Sequence, residues 1–150
     1  MSSDLQWLLL RVRLNNNSFV VKRVVEGPVF SKEPGNLRNL HSYKFSGLAN
    51  AKTLDITDSP SGVQITARKT KAVAGAVKTA YAKSSIRPRS GSRRAQGIVS
   101  QYAKRGYRPD LRTAALARVS ALVAAQKEPK PTLPKKIRGK KAKAIEASPE

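Results

Sequence analysis

Arginine and lysine are the residues of this sequence with the greatest capacity for chemistry, and they recur through its second half. The planar guanidinium of arginine suits phosphate because it donates two hydrogen bonds at once. Tyrosine lies among these cations, and its ring can stack on an exposed base, a role we predict for Tyr107. The predicted polyanion contacts from charge and spacing are Arg68, Lys69, Lys71, Arg87, Arg89, Arg93, Arg94, Lys104, Arg105, Tyr107, Arg108, Arg112 and Arg118.

The positive charge is distributed unevenly along the 150 residues, which carry a net charge of +21 and have a pI near 11.1. Residues 1–66 contain eight Lys or Arg and five Asp or Glu, a net charge of +3. Residues 67–150 contain twenty-two and four, a net charge of +18. Like charge at this density opposes compaction of a free chain. The sequence therefore predicts a polyanionic partner, with nucleic acid favoured over an anionic membrane surface.

Catalytic residue sets are missing from the sequence. It has no cysteine, no Gly-rich phosphate loop and no nucleophile elbow, and its single histidine is His41. The spaced acidic pair Asp55 and Asp58 is better explained by a hairpin turn. We predict no enzymatic activity, no metal, no cofactor and no small-molecule substrate. The longest apolar run, Trp7 to Leu10, is too short for a membrane span or a signal peptide, which predicts a soluble, non-secreted protein.

The first half predicts a short helix followed by strands. Ser2, Ser3 and Asp4 precede an apolar stripe at helical spacing, which favours a helix over about residues 3–12. The same apolar run also fits a strand through Trp7–Val12. A turn at Asn15–Asn17, strands at Ser18–Val25 and around Tyr43 and Phe45, and a hairpin pairing residues 53–57 with 63–67 across the turn Asp58–Gly62 are predicted next.

The second half predicts an irregular segment, two helices and a tail. Residues 72–82 fit a helix that Gly75 weakens, and residues 84–92 fit a basic loop. One helix is predicted from Ser92 to Gly106 and another from Asp110, with a face of alanines. The fold class is α+β: a small antiparallel sheet with a short N-terminal helix, two C-terminal helices and basic extended segments. Residues 1–126 form the domain, with an irregular basic segment at about 70–91.

A basic tail at residues 127–150 is predicted to be disordered when unbound, since prolines and repelling lysines replace the helical pattern. Its predicted contacts are Lys135, Lys136, Arg138, Lys140 and Lys141. RNA is favoured over DNA because no helix-turn-helix or zinc-finger signature is present. Cations on loops and tail suit a folded, irregular RNA.

Several strings of the chain resemble the eukaryotic large-subunit ribosomal protein L28e family. They are Leu5-Gln6-Trp7, Asn17 to Arg23, Asn36-Leu37 through Ser42-Tyr43, Ser46-Gly47-Leu48, Lys52-Thr53 and, densest of all, Tyr107 to Arg112 with Ala114-Ala115. The resemblance implies an α+β domain on large-subunit ribosomal RNA, with no catalytic residue and no cofactor. The RNA contacts it implies are Lys22, Arg23, Lys44, Arg93, Arg94, Arg105, Tyr107, Arg108 and Arg112. Residues 70–91 and the tail after Pro129 depart from the pattern.

The function expected from charge and resemblance together is that of a structural constituent of the large subunit of the cytoplasmic ribosome. Such a protein binds and bridges ribosomal RNA, contacts neighbouring ribosomal proteins, and passes through the nucleolus during assembly. Two alternatives are a nucleolar large-subunit assembly factor and a basic chromatin-associated protein. For single changes, we expect Arg108→Ala to weaken RNA association with little loss of structure, and Leu111→Asp to disrupt helix packing.

Overall fold

The computed structural model describes residues 2–12, 17–73, 75–128 and 131–132. In chain order its elements are α1 (Ser3–Val12), β1 (Val20–Val21), β2 (Phe30–Ser31), β3 (Leu54–Ser59), β4 (Gly62–Arg68), β5 (Tyr81–Ile86), α2 (Ser92–Lys104), a 3-10 turn (Pro109–Leu111) and α3 (Arg112–Ala125). The predicted α+β class is confirmed. The five predicted tail contacts, Lys135, Lys136, Arg138, Lys140 and Lys141, lie outside the described residues, and the division into a domain at 1–126 and a tail stays a prediction.

Strands β3, β4 and β5 form an antiparallel sheet in that order. Leu54 pairs with Ala67 and Ser59 pairs with Gly62, which leaves a two-residue turn and confirms the predicted hairpin. Gly62 has a φ of +114°, and a Cβ there would lie 2.0 Å from the carbonyl oxygen of Ile86 on β5. Glycine is therefore required at this corner, because a side chain would both strain the backbone and clash with the neighbouring strand.

The core lies between one face of this sheet and the two C-terminal helices. Alternate residues of β3 and β4 point inward, and Ile56 and Ile65, which are paired across the strands, are both 0% exposed. The α2 and α3 helices pack on each other and on this face. The buried hydrophobic cluster consists of Leu37, Leu54, Ile56, Val63, Ile65, Ala67, Ile86, Ala95, Val99, Leu111, Ala115, Val119 and Val123. The members of this cluster on α2 and α3 lie on one side of each helix, whereas Ala117, Ala121, Ala124 and Ala125 of α3 face solvent.

Helix α1 is confirmed in place of the alternative strand. Its amide at Leu5 donates a hydrogen bond to the Ser2 hydroxyl oxygen, 3.3 Å away, and Asp4 lies in its positively charged first turn. The helix contributes no buried residue. It is attached to the rest of the protein through Trp7, whose ring lies 4.9 Å from that of His41 and 6.0 Å from that of Tyr43.

Of the strands predicted in the first half, one is shorter than expected and the one around Tyr43 and Phe45 is wrong. Of Ser18–Val25, the strand keeps Val20–Val21 alone, because the chain reverses over residues 22–29 to pair it with Phe30–Ser31. Around Tyr43 the backbone forms a turn in which the amide of Ser46 bonds the carbonyl of Ser42 at 2.9 Å. The side-chain amide of Asn50 holds that turn by donating to two of its carbonyls. Local hydrogen bonding therefore overrides the alternating pattern.

The segment at residues 70–91 also differs from the prediction. No helix forms over the described part of 72–82, where turns lie at residues 70–71, 75 and 79–80 and the amide of Lys69 bonds the carbonyl of Ala80 at 2.8 Å. Residues 81–86 form strand β5 rather than a loop, and pair with β4 from Val63–Ile86 to Arg68–Tyr81. Its central residues, Ala82 to Ser85, have low strand propensity, so the pairing is imposed by the neighbouring strand. A basic loop remains at residues 87–91.

Candidate nucleic-acid interface

Four arginines lie together where the chain leaves the sheet and enters α2. Arg87 and Arg89 are exposed in the loop after β5, and Arg93 and Arg94 are exposed in the first turn of α2. We call these four the amino-terminal cluster. Their first turn contains no acidic residue, and its cap position is Gly91 with no side-chain hydrogen bond from the described residues. The free amides and dipole of this helix end favour an anion, whereas two arginines there oppose one another and the dipole.

A second pair of cations marks the opposite end of α2. Lys104 is the last residue of the helix and Arg105 is its C-cap, and both are exposed. Gly106 follows with a φ of +68°, as predicted for a left-handed helix end. Thirteen residues at 1.5 Å each place the two clusters about 20 Å apart. The helix therefore carries positive charge at both ends, with its apolar side on the core.

The remaining predicted contacts are distributed over other parts of the surface. Arg112 is exposed at the start of α3, while Arg68 is half-buried at the end of β4. Neither Arg112 nor Arg68 belongs to the sequence segments that form the two clusters. The predicted contacts that are exposed outside the clusters are Lys22, Arg23, Lys44, Lys69, Lys71 and Arg112.

Carboxylates do not balance these cations. Among the described residues, Arg108 is the one lysine or arginine that forms an ion pair, and its partner is Asp110. Residues 67–128 contain fifteen lysines and arginines but two carboxylates, an excess of thirteen. These exposed charges repel one another and are not neutralised by carboxylates of the described residues. The described surface therefore attracts a polyanion.

Arg108 itself turns inward. Its guanidinium forms a two-pronged bond to Asp110, at 2.9 and 2.7 Å, and donates to the carbonyls of Lys52 and Lys44 at 2.8 Å each. The side chain is 14% exposed. These hydrogen bonds, together with the positive charge, hold the pKa of the Asp110 carboxyl below its ordinary value although partial burial acts in the opposite direction. Arg108 thus joins the start of the third helix to two loops of the first half.

Tyr107 and Arg118 also have partners inside the protein. The Tyr107 hydroxyl donates to the Arg68 carbonyl and lies 3.2 Å from that of Thr53. Burial raises the pKa of the Tyr107 phenol, although the Thr53 carbonyl and the charge of Arg108 act in the opposite direction, so the proton is retained. Arg118 donates to the carbonyl of Ile56 on edge strand β3 at 2.7 Å and to that of Leu37 at 3.0 Å.

One buried group of side chains has the residue types of acid–base chemistry. Nδ1 of His41 lies 3.9 Å from Oε1 of Glu33, and the Ser46 hydroxyl donates to Oε2 of Glu33 at 2.7 Å. The side chains of His41 and Glu33 are 6% and 1% exposed, and Trp7 covers the imidazole. A dissolved substrate does not reach groups buried this deeply. The carboxylate beside His41 could not be found from the sequence, because a loop brings it from eight residues away.

The described residues contain no group of three His, Cys, Asp or Glu side chains placed to hold a metal ion. None of the described helices is long and apolar enough to cross a bilayer.

The model of the Ribosomal L28e protein family matches residues 5–125, from the first turn of α1 to the end of α3. The chain belongs to the ribosomal L28e family. It is similar to large ribosomal subunit protein eL28 of Schizosaccharomyces pombe, with 33% identity over 88% of this chain and 97% of the relative. The corresponding protein of Dictyostelium discoideum is 35% identical over 85% and 93%, and that of Caenorhabditis elegans 35% over 47% and 54%.

The L28e resemblance is densest from Tyr107 to Arg112. This segment contains the internal contacts of Tyr107 and Arg108 that are described above. Tyr107, Arg108, Asp110 and Leu111 all make internal contacts or are buried, and Arg112 faces solvent. In this L28e-family chain the segment therefore fixes the position of α3 relative to α2 and to the first half of the chain. Residue types alone could not separate that structural use from an RNA contact, since both uses employ arginine and tyrosine.

Proposed function

We propose that this L28e-family protein is a non-enzymatic structural constituent of the large subunit of the cytoplasmic ribosome, where it binds and bridges ribosomal RNA. Two relatives that this chain matches over nearly their whole length are named as large ribosomal subunit proteins. The observation that carries the RNA contact is the excess of exposed arginine and lysine without carboxylate partners among the described residues. Phosphates of RNA supply the missing negative charge.

The amino-terminal cluster is the strongest part of the proposed interface. Its four arginines are exposed within residues 87–94, and the first turn of α2 in the same segment has no side-chain cap. A phosphate there receives hydrogen bonds from guanidinium groups and free amides and is stabilised by the helix dipole. Lys104 and Arg105, about 20 Å away, contact a second RNA segment, which gives the protein its bridging role.

The other predicted contacts take different places in this proposal. The exposed cations Lys22, Arg23, Lys44, Lys69, Lys71 and Arg112 add phosphate contacts, as do the tail residues Lys135, Lys136, Arg138, Lys140 and Lys141. Tyr107, Arg108 and Arg118 hold the fold, because their polar atoms are bonded to protein carbonyls or to Asp110. Passage through the nucleolus during assembly and contact with neighbouring ribosomal proteins belong to the same proposal.

Binding of the full chain to large-subunit ribosomal RNA tests the proposal. We expect a steep loss of affinity with salt, because each phosphate contact contributes roughly 0.7–0.9 to the log–log slope. Replacing Arg93 and Arg94 by alanine should lower that slope by about 1–2. The matched control replaces Arg11 and Lys32, which removes the same charge from the balanced first half.

Equal effects of the two double variants would show that binding depends on net charge alone and would refute the proposed interface. Affinity that does not change between low and moderate salt would refute the phosphate contacts altogether.

A further inference from the structure

The apolar stripe of α1 faces away from the protein. Leu5, Leu8, Leu9 and Val12 follow one another at helical spacing, and they are 46%, 51%, 50% and 79% exposed. We call these four residues the leucine stripe. A surface helix ordinarily turns such a stripe toward the core, since burial of each large aliphatic side chain contributes about 1.5–3 kcal/mol. Here that contribution is unused in the free protein.

The outward orientation of the stripe is fixed by contacts on the opposite side of the helix. The Trp7 ring lies against His41 and Tyr43, and the Tyr43 hydroxyl donates to the Ser3 hydroxyl at 3.1 Å. Below this contact, His41 rests beside the buried carboxylate of Glu33. Two turns of α1 are therefore anchored by an aromatic contact and a hydrogen bond. The helix cannot rotate its leucines inward without losing both.

We propose that the leucine stripe is the surface through which this protein docks an apolar face of a neighbouring protein within the large subunit. This rests on the proposed ribosomal role, which supplies the neighbour. The partner has an aliphatic or aromatic surface that packs between these side chains. Its rim carries charges complementary to Asp4 and Arg11, which are exposed at the two ends of the same helix.

Three other occupants fit less well. RNA offers phosphates and polar base edges, and the four side chains of the stripe have no hydrogen-bonding group. A second copy of the chain brings another net charge of +21, which opposes association. The sequence after Lys127 has Leu133, Ile137 and Ile145 as its large aliphatic residues, separated by lysine and proline, so it cannot form a matching stripe.

The size of the surface also favours a neighbour already held in the particle. A stable interface between free proteins buries about 800 Å² on each side. One face of a ten-residue helix with four half-exposed side chains provides only a fraction of that area. Such a patch becomes effective when RNA contacts already hold both proteins in place, because the second contact is then intramolecular.

Photo-crosslinking in intact large subunits tests the proposal. The full chain, carrying p-benzoylphenylalanine at Leu8 or at Arg94, is expressed in its native cells, and large subunits are purified on sucrose gradients. We expect position 8 to crosslink to another protein of the subunit at an apolar segment identified by mass spectrometry. Position 94 should crosslink to RNA. Crosslinks from position 8 to RNA alone, to a second copy, to the chain's own tail or to nothing would overturn the proposal.

A washing experiment provides an independent outcome. High salt weakens phosphate contacts and leaves apolar ones, so the stripe should matter most under that condition. We expect replacement of both Leu8 and Leu9 by serine to increase release of the chain from salt-washed subunits at least threefold. The control is Val25→Ser, which changes a valine that is 84% exposed away from α1.

The fluorescence of Trp7, the single tryptophan of the chain, reports whether α1 remains attached in each variant. If the serine variant keeps the Trp7 fluorescence of the wild type and is retained on salt-washed subunits as well as the wild type, the proposal is contradicted. If the variant loses the Trp7 contact, the crosslinks from position 8 test the proposal instead. If the unaltered chain does not enter large subunits at all, the proposed function fails. A chain that enters them but shows no protein crosslink at position 8 refutes the leucine stripe alone.

Discussion

Arg108 donates four hydrogen bonds inside the protein, whereas Arg94 is exposed on the first turn of α2 among other cations. The two residues are chemically identical, and each has another arginine within three positions in the sequence. Their roles separate only when the fold places backbone carbonyls of residues 44 and 52 within reach of one of them. For that reason the excess of positive charge could be predicted from sequence, and the internal hydrogen bonds of Arg108 could not.

Replacement of Arg108 by alanine should destabilise the protein, contrary to the expectation from residue type. Loss of charge-assisted bonds from a 14% exposed side chain should lower the free energy of unfolding by about 2–3 kcal/mol. Urea denaturation followed by circular dichroism measures this change. Arg94→Ala is the control, with an expected change within about 0.5 kcal/mol. Equal midpoints for the two variants would contradict the internal role of Arg108.

The Asp110 carboxyl should contribute a stability that depends on pH. Its pKa in the folded protein is lowered, first by the hydrogen bonds from Arg108, so the unfolded chain takes up a proton at higher pH than the folded one. The contribution is therefore present above the ordinary aspartate pKa of about 3.9, and is lost as the pH falls through the lower folded value. We expect the urea midpoint of Asp110→Asn to lie below that of the wild type at pH 5. The gap should narrow toward pH 2.5, and a constant gap would contradict the pairing.

The elements of the fold differ in how well their own sequence specifies them. The β3–β4 hairpin, α2 and α3 were predictable because alternation, helical spacing and turn residues all agree locally. Strand β5 was not, since its central Ala-Lys-Ser-Ser sequence has low strand propensity and is held in place by β4. The turn at residues 42–45 was predicted as a strand because its residues alternate between apolar and polar. Hydrogen bonds from Asn50 and within the local backbone stabilise the turn instead. Elements that are stabilised by residues distant in the sequence cannot be predicted from their own local sequence.

The packing of the third helix should be sensitive to a single buried charge. Leu111 is 3% exposed, between the internal contacts of Arg108 and the core of α3. Leu111→Asp should lower the free energy of unfolding by more than about 3 kcal/mol, because an unpaired carboxylate is buried and a cavity is created. Thermal melting followed by circular dichroism measures it. Ala121→Asp, on the exposed alanine face of α3, should change little, and similar losses for both would contradict this packing.

The whole molecule combines a nearly neutral first half with a strongly positive second half. Repulsion among unpaired cations should make the free protein less stable at low ionic strength, since salt screens charges over about 10 Å at 0.1 M. We expect the melting temperature of the purified chain to rise between 0.01 and about 0.3 M salt, measured by circular dichroism and Trp7 fluorescence. A melting temperature that falls or stays constant would show that the excess charge has little effect on folding.

RNA affinity should change with salt in the opposite direction to folding stability. Screening weakens the attraction to phosphate by the same physics that relieves repulsion within the free chain. The protein is therefore expected to be most stable in its particle, where phosphates replace the screening ions. Net charge and its asymmetry were visible in the sequence, and they remain the strongest sequence-level indication of function.

The most direct test of the central claim is sedimentation of the tagged full chain from its native cells, with and without nuclease. The account predicts that the chain travels with mature large subunits, remains with them after DNase treatment, and is released when RNase degrades the particle. A chain that sediments only with precursor particles would instead be an assembly factor. Release by DNase but not by RNase would place it on chromatin and contradict the account.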